Sequence, residues 1–191
     1  RYFSSYDRNP QRNAFISQLS RAVNCAICIR NMLRTGFEET ARPVSRNFIE
    51  AIDIALACFV DKEFAVEFLE SEDGFDKLWK DKIGYGRINT YLRKACQIAK
   101  LSEAEAADFV RMRRNQKQRL SSSVHADSDG AFRSMLIPVL GHPDKYSFAK
   151  HGVISLNTAG HILLLTGEIQ RFLTLVLNSQ IHEWGEDPFF P

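Results

Sequence analysis

Apolar side chains recur every three to four residues along most of the chain, which is the spacing of one face of an α-helix. This periodicity predicts four long helices, at residues 11–35, 37–60, 102–124 and about 155–184. It also predicts three short helices, at residues 61–70, 75–82 and 87–100. No stretch alternates between apolar and polar residues over the length of a convincing β-strand.

Residues at the predicted boundaries have the chemistry of helix ends. Gly36 follows the first helix, and Asp61 precedes an acidic first turn. Ser102 and Glu105 have the S-x-x-E spacing of a capping box. Between residues 126 and 156 we expect short helices and a surface excursion, because glycines and prolines interrupt any long element: Gly130, Pro138, Gly141, Pro143 and Gly152.

Together these elements predict an all-α fold, an antiparallel helical bundle with four long helices plus short connecting helices. The chain has 191 residues, of which 45% are hydrophobic and 25% charged, so it can bury a substantial core. We therefore interpret residues 1–191 as a single helical-bundle domain.

The helix predicted at 37–60 is apolar around nearly its whole circumference, which places it at the centre of the fold. Its exceptions form one charged strip, since Arg46, Glu50 and Asp53 lie within about 60° of one another. One interpretation is an exposed ion pair between Arg46 and Glu50, worth a few tenths of a kcal/mol. The other is a polar pocket facing a second helix, in which the carboxylate orients the guanidinium towards an anionic ligand.

A basic run, RMRRNQKQR, occupies residues 111–119 of the helix predicted at 102–124. Its cations fall within about two and a half turns: Arg111, Arg113, Arg114, Lys117 and Arg119. Such a run forms either a solvated helix face or a surface that contacts phosphate or RNA. No aromatic residue interrupts the run, so its own sequence does not indicate base stacking.

The segment after this run contains three serines and then His125, at a predicted helix end and turn. His125 either complements the negative end of the helix or acts as a general base near neutral pH. Together with Asp127 and Asp129 it matches no defined metal-binding loop, and the serines lack a nucleophile elbow. The sequence therefore predicts no metal and no cofactor.

The amino-acid composition says more about the cellular compartment of the protein than about its function. A formal charge of +2 is too small to indicate nucleic-acid binding by itself. The four cysteines lie among apolar neighbours in helical segments, as buried free thiols of a reducing compartment do. The apolar run at residues 162–165 is too short to span a membrane. We therefore expect a cytoplasmic protein without a membrane partner.

Two segments resemble known families of helical proteins. Within residues 33–70, a Gly and an Ala are followed by an R-x-x-x-E pattern, Arg46 to Glu50, and the later RLSSSVH has Ser121 four residues before His125. This combination resembles an uncharacterised bacterial helical family. RLSSSVH also resembles the signature of the HEPN superfamily, in which an arginine precedes a histidine by four to six residues. Many members of that superfamily are RNases of toxin or defence systems.

The resemblance implies roles for particular residues of this chain. Arg46, Glu50 and Ser121 correspond to a ligand site, which the charged strip extends to Asp53. Arg119 and His125 correspond to the catalytic pair of a metal-independent RNase.

Three functional hypotheses follow. The first is an uncharacterised HEPN-like domain that binds RNA, a nucleotide or another anionic ligand in a polar cleft. The second is a metal-independent RNase, although Leu120 follows Arg119 where active HEPN RNases usually carry a polar residue, so enzymatic activity is left open. The third is a non-catalytic protein-interaction or dimerisation module that forms a homodimer.

Overall fold

The computed structural model describes residues 9–35, 37–71, 74–124, 137–139, 142–147 and 156–178. These residues contain seven α-helices: α1 (Pro10–Arg34), α2 (Glu38–Val60), α3 (Lys62–Glu70), α4 (Phe75–Leu78), α5 (Asn89–Ile98), α6 (Glu103–Val124) and α7 (Leu156–Asn178). A π-helical turn, Trp79–Ile83, and a 3-10 turn, Gly84–Gly86, connect α4 to α5. The predicted all-α class is confirmed, and α1, α2, α6 and α7 are the long helices.

The predicted helix caps form as hydrogen bonds. The carboxylate of Asp61 accepts from the Phe64 N–H at 2.9 Å and starts α3. Ser102 and Glu105 form the reciprocal pair of a capping box: the Ser102 N–H donates to Glu105 Oε2 at 2.8 Å, and the Glu105 N–H donates to Ser102 Oγ at 3.3 Å. Gly36, predicted to end the first helix, lies outside the described residues.

Helix α2 lies at the centre of the fold, as its apolar circumference predicts. Every residue from 51 to 60 is buried. The helix packs against α1, α3, α5, α6 and α7. Because each buried aliphatic or aromatic side chain contributes about 1.5–3 kcal/mol, this one helix organises the core.

Helix α1 buries only one of its faces. Phe15 packs against Phe59 of α2 and Phe172 of α7, with ring centroids 5.5 and 5.9 Å apart. Ala22 and Ile29 continue the same buried face. The two helices α1 and α7 therefore meet across the end of the central helix α2.

The region after α6 contains a short hairpin in place of the expected helices. Strand β1 (Ile137–Val139) pairs antiparallel with β2 (His142–Ser147), with Ile137 opposite Ser147. The prediction of short helices is wrong for these residues. Val139 and Ile137 are β-branched, and Pro138 between them is compatible with the edge strand of a two-stranded sheet. A three-residue strand is too short to show an alternating pattern.

The prediction that all four cysteines are buried is wrong for Cys28, which is exposed, while Cys25 is half-buried. Cys58 and Cys96 are buried, and burial raises the pKa of Cys58 to about 12. All four are free thiols. None of the helices in the described ranges combines the length and the apolar content that a bilayer crossing needs.

Candidate functional site

Helices α2 and α6 and the segment that joins α4 to α5 enclose a cleft of about 680 Å³. Helix α2 lines it with Arg46 and Glu50. Helix α6 lines it with five residues: Arg113, Arg114, Lys117, Gln118 and Ser121. The joining segment and the first residue of α5 contribute the rest: Trp79, Ile83, Gly84, Tyr85, Gly86, Ile88 and Asn89.

Arg46 ties α2 to the last turns of α6. Its Nε and Nη2 each lie 2.8 Å from Glu50 Oε1. Its Nη1 donates to the carbonyl oxygen of Lys117 at 2.7 Å and to Ser121 Oγ at 2.9 Å. Four of the five N–H groups of the guanidinium therefore lie against acceptors in the described part of the chain, which leaves one N–H on Nη2 without an acceptor there.

The structure thus brings together three residues that the sequence singled out, Arg46, Glu50 and Ser121. The Arg46–Glu50 pair has the i, i+4 spacing of an intrahelical ion pair, and its side chains are 23% and 33% exposed. The pair also faces a second helix and lines a cleft. The ion pair and the position facing a second helix, which the sequence offered as alternatives, therefore occur together, and the anionic ligand stays a prediction.

Beneath the cleft lies a set of buried charges that we call the inner charge layer, formed by Asp53, Arg113 and Glu168. Asp53 Oδ1 lies 2.8 Å from Arg113 Nε, and both side chains are 1% exposed. Asp53 Oδ2 lies 2.5 Å from Lys117 Nζ. Arg113 Nη1 also pairs with the Glu168 carboxylate of α7, whose side chain is completely buried.

Further donors surround Glu168. Its Oε1 accepts from Gln116 Nε2 at 2.9 Å and from Arg171 Nη1 at 2.8 Å. The Arg113 guanidinium also lies 5.2 Å from the centroid of the Phe109 ring. Burying a charge is costly unless the charge is paired, and here three helices supply the partners, through ion pairs at Asp53 and hydrogen bonds at Glu168. The inner charge layer therefore holds α2, α6 and α7 together.

Two other predicted site residues, Asp53 and Arg119, do not line the cleft. Asp53 belongs to the inner charge layer and is absent from the lining, which it reaches through Lys117. Arg119 is exposed outside the lining, and its carbonyl oxygen accepts from Arg42 Nη2 at 3.1 Å. His125 lies outside the described residues, so the proposed pairing of Arg119 and His125 stays a prediction.

The basic run divides among three environments that its sequence did not distinguish. Arg113 is buried, and Arg111 pairs with Asp108 at 2.8 Å outside the cleft. Arg114 is exposed at the cleft and makes no ion pair or hydrogen bond with the described part of the chain. Lys117 is 17% exposed and contacts Asp53 while it lines the cleft. Only part of the run is therefore a solvated face.

Sequence reasoning missed the aromatic wall of this cleft. Tyr85 is 81% exposed, and its ring lies 5.5 Å from that of Trp79 in an edge-to-face arrangement at 68°. These rings come from a different segment from the basic run, so inspection of the run alone could not find them. Two glycines that flank Tyr85, Gly84 and Gly86, were the available signal, because they mark an irregular backbone.

Among the described residues, no group of three or more His, Cys, Asp and Glu side chains is placed to hold a metal ion. His161, on α7, contacts Ser45 Oγ of α2 at 3.3 Å within the core. No family model, curated protein or solved structure shows a significant match to the chain. The functional inference therefore depends on the geometry of the cleft.

Proposed function

We propose that the chain is a HEPN-like helical domain that binds a phosphate-bearing ligand, RNA or a nucleotide, in the cleft between α2 and α6. One observation carries this proposal: Arg114 places a cationic group at the cleft that makes no ion pair or hydrogen bond with the described part of the chain, next to the partly exposed ammonium of Lys117. Guanidinium and ammonium groups form charge-assisted hydrogen bonds with phosphate oxygens.

The charge balance of the lining favours an anion. The described lining contains four cations, Arg46, Arg113, Arg114 and Lys117, and one carboxylate, Glu50. Glu50 pairs with Arg46. Below the cleft, Asp53 and Glu168 pair with Arg113 and Lys117, so Arg114 is the cation of the lining that no carboxylate in the described ranges neutralises. A concave surface with an excess of one sign concentrates ions of the opposite sign.

The cleft also has the dimensions and rigidity of a binding site. Its volume of about 680 Å³ is within the range of about 300–1,000 Å³ that small-molecule sites occupy. Arg46 fixes the relative positions of α2 and α6, because its Nη1 donates hydrogen bonds to the Lys117 carbonyl oxygen and to Ser121 Oγ. A ligand would therefore meet two helices whose relative positions are already set, which reduces the entropic cost of binding.

The proposal is tested by titrating the protein with inorganic triphosphate in a calorimeter at low salt. We expect Arg114→Met to weaken binding by about tenfold, since a hydrogen bond to a charged group contributes about 1.5–3 kcal/mol. Arg111→Met is the matched control, because Arg111 belongs to the same basic run and lies outside the cleft. Raising the salt concentration should weaken binding of the wild type as well.

Absence of binding to triphosphate, nucleotides and RNA would contradict the proposal. Equal loss in Arg111→Met and Arg114→Met would also contradict it, because the ligand would then respond to the general charge of α6. Binding that is insensitive to salt would exclude a phosphate-directed site.

RNA cleavage is a separate prediction that rests on the resemblance around Arg119 and His125. Incubation with single-stranded RNA in EDTA, beside His125→Ala, tests it. Cleavage by the wild type alone supports a metal-independent RNase in which His125 moves the proton of the 2′-hydroxyl. Equal products from the two proteins, or none from either, would remove the prediction and leave the binding proposal standing.

A homodimer is the second candidate, and exposed apolar side chains on two helices favour it. On α1 these are Ile16, Val23 and Ile27, which are 42–50% exposed. On α7 they are Ile162, Ile169 and Leu173, which are 44–51% exposed. Both sets have the spacing i, i+7, i+11, so each forms a narrow stripe on its helix. We expect sedimentation to show a dimer that Val23→Glu dissociates; a monomer at high concentration would exclude it.

We also propose that the protein is located in the cytoplasm. The support for this location is the free state of all four cysteines, which is typical of proteins kept in a reducing compartment. Fractionation of the host cells would test it, and recovery of the chain in an oxidising compartment would contradict it.

A further inference from the structure

The cleft has two chemically different sides. All the charged side chains in its described lining come from α2 and α6. The segment that joins α4 to α5 contributes aromatic, aliphatic and glycine residues, among them Trp79 and Tyr85, and the first residue of α5 contributes the amide of Asn89. A ligand that fills the cleft therefore meets cations on one side and aromatic rings on the other.

Tyr85 has a backbone conformation that its side chain does not favour. Its φ of 54° and ψ of 25° lie in the left-handed region. Glycine or asparagine adopts this region with less strain than tyrosine does. The side chain is also 81% exposed, so burial recovers little of the cost. Neither backbone geometry nor core packing accounts for a tyrosine at this position.

The exposed ring is nevertheless supported by its neighbours. Trp79 lies 5.5 Å from it, edge to face, and the Arg87 guanidinium carbon lies 6.0 Å from the ring centroid. Gly84 makes room for Trp79, because a Cβ atom there would come within 2.7 Å of the indole ring. Trp79 and Arg87 thus hold the Tyr85 ring in place while most of its surface stays exposed.

Backbone strain at a non-glycine residue is concentrated at ligand sites, and an aromatic ring that lines a basic cleft offers a face on which a base can stack. From this combination we propose that Tyr85 is the base-stacking residue of the cleft and that the ligand is a nucleoside phosphate. Its base lies on the Tyr85 ring, and its phosphates contact Arg114 and Lys117. The inference rests on the proposed function and specifies the ligand class of the same site.

The amide side chains of the cleft fit such a ligand. Asn89 and Gln118 both line the cleft, and each offers a hydrogen-bond donor and an acceptor suited to the edge of a base. Because any base can stack on an aromatic ring, selection among bases depends on hydrogen bonds to these amides. A free nucleotide and a unit of single-stranded RNA share this chemistry, and the experiment below separates them.

The test compares the dissociation constants of inorganic triphosphate, a nucleoside triphosphate and a short single-stranded RNA. In the wild type the nucleoside triphosphate or the RNA should bind at least about tenfold more tightly than inorganic triphosphate, because base stacking adds to the phosphate contacts. Tyr85→Asn keeps a residue that tolerates the left-handed conformation and removes the ring, so the ratio should fall towards one. Tyr85→Phe keeps the ring and should preserve the ratio.

The outcomes distinguish this inference from the proposed function. Tighter binding of RNA than of the mononucleotide assigns the site to a strand, and the reverse assigns it to a free nucleotide. Equal binding of triphosphate and nucleotides by the wild type, or an unchanged ratio in Tyr85→Asn, overturns the stacking role and leaves a phosphate site. Failure of all three ligands to bind overturns both.

Discussion

Arg113 and Arg114 are adjacent residues of the same helix, yet they belong to regions of opposite character. Arg113 is 1% exposed and is paired with two buried carboxylates, Asp53 and Glu168. Arg114 is exposed at the cleft and contacts no carboxylate in the described part of the chain. A rotation of about 100° between successive helical residues separates the two. The inner charge layer stabilises the fold, and the cleft surface above it is available to a ligand.

The difference arises from how the charges of each region are stabilised, by partners within the protein or by water. In the inner charge layer almost no solvent reaches the charges, so every one of them must be paired within the protein. At the cleft surface water solvates unpaired cations at little cost, and a phosphate can later replace that water. An arginine in a basic run can therefore be structural or ligand-binding, according to the partners that other helices supply.

The largest effect that tests this comparison is the loss of Arg113. Arg113→Met removes the guanidinium that lies between Asp53 and Glu168. We expect the free energy of unfolding to fall by about 3–5 kcal/mol, which is the range for breaking a buried ion pair. Urea denaturation followed by circular dichroism measures the change.

Arg114→Met is the matched control for that experiment. The same chemical change at the exposed neighbour should alter the free energy of unfolding by no more than about 0.5 kcal/mol. Similar losses in the two variants would show that the two regions do not differ as described.

A smaller loss of stability is expected at Gly84, whose backbone packs against the Trp79 ring of the aromatic wall. In Gly84→Ala the added Cβ would lie 2.7 Å from the Trp79 ring. Displacing a packed ring costs about 1–3 kcal/mol, so thermal unfolding should shift to lower temperature. Gly74→Ala is the control, since no atom lies within 4 Å of its added Cβ. Equal behaviour of the two variants would mean that the wall is not rigid.

Asp61 is an intermediate case, a partly buried carboxylate that caps a helix. Burial raises its pKa, but hydrogen bonds from the Phe64 N–H and the Lys94 ammonium outweigh that effect and hold the pKa below its ordinary value. We expect Asp61→Ala to cost about 1 kcal/mol, as loss of an N-cap does. Asp61→Asn keeps the cap and should cost less.

The lowered pKa also fixes the sign of a pH effect. The stability contributed by the charged form is present above the unfolded aspartate pKa of about 3.9 and is lost as the pH falls through the folded-state pKa. Urea denaturation of the wild type and Asp61→Asn at pH 7 and pH 3 measures it. An equal pH dependence in both proteins would exclude Asp61 as a source of the effect.

The smallest predicted change is an increase in stability, whereas the other substitutions decrease it. Tyr85→Asn replaces a strained tyrosine by a residue that tolerates a positive φ, so it should stabilise the fold by up to about 1 kcal/mol. Tyr91→Asn should destabilise it, because the Tyr91 ring packs 4.7 Å from the Phe64 ring. A clear loss of stability in Tyr85→Asn, measured by thermal unfolding, would make Tyr85 a structural residue of the turn.

Local patterns predicted most of the helical architecture. The capping box at Ser102 and Glu105 and the cap at Asp61 lie where the sequence places them, because such contacts join residues three positions apart. The charged strip of α2 was also predicted, since Arg46 and Glu50 are one turn apart. The hairpin at 137–147 was missed, since short strands leave little periodic signal.

The site was predictable only in part. The sequence selected Arg46, Glu50 and Ser121, and these three do line one cleft. It did not find Tyr85. The proposed role of this residue depends on its exposure and on a positive φ, which the amino-acid sequence does not show directly.

The sequence by itself determined where the helices form and which of them is central, because hydrophobic periodicity and capping act over a few neighbouring residues. Only the tertiary structure decided which cations are structural and which face the cleft. That decision depends on the carboxylates of Asp53 and Glu168, the second of which is 55 positions away from Arg113 along the chain. Partners that distant are set by the packing of whole helices, so no local pattern specifies them.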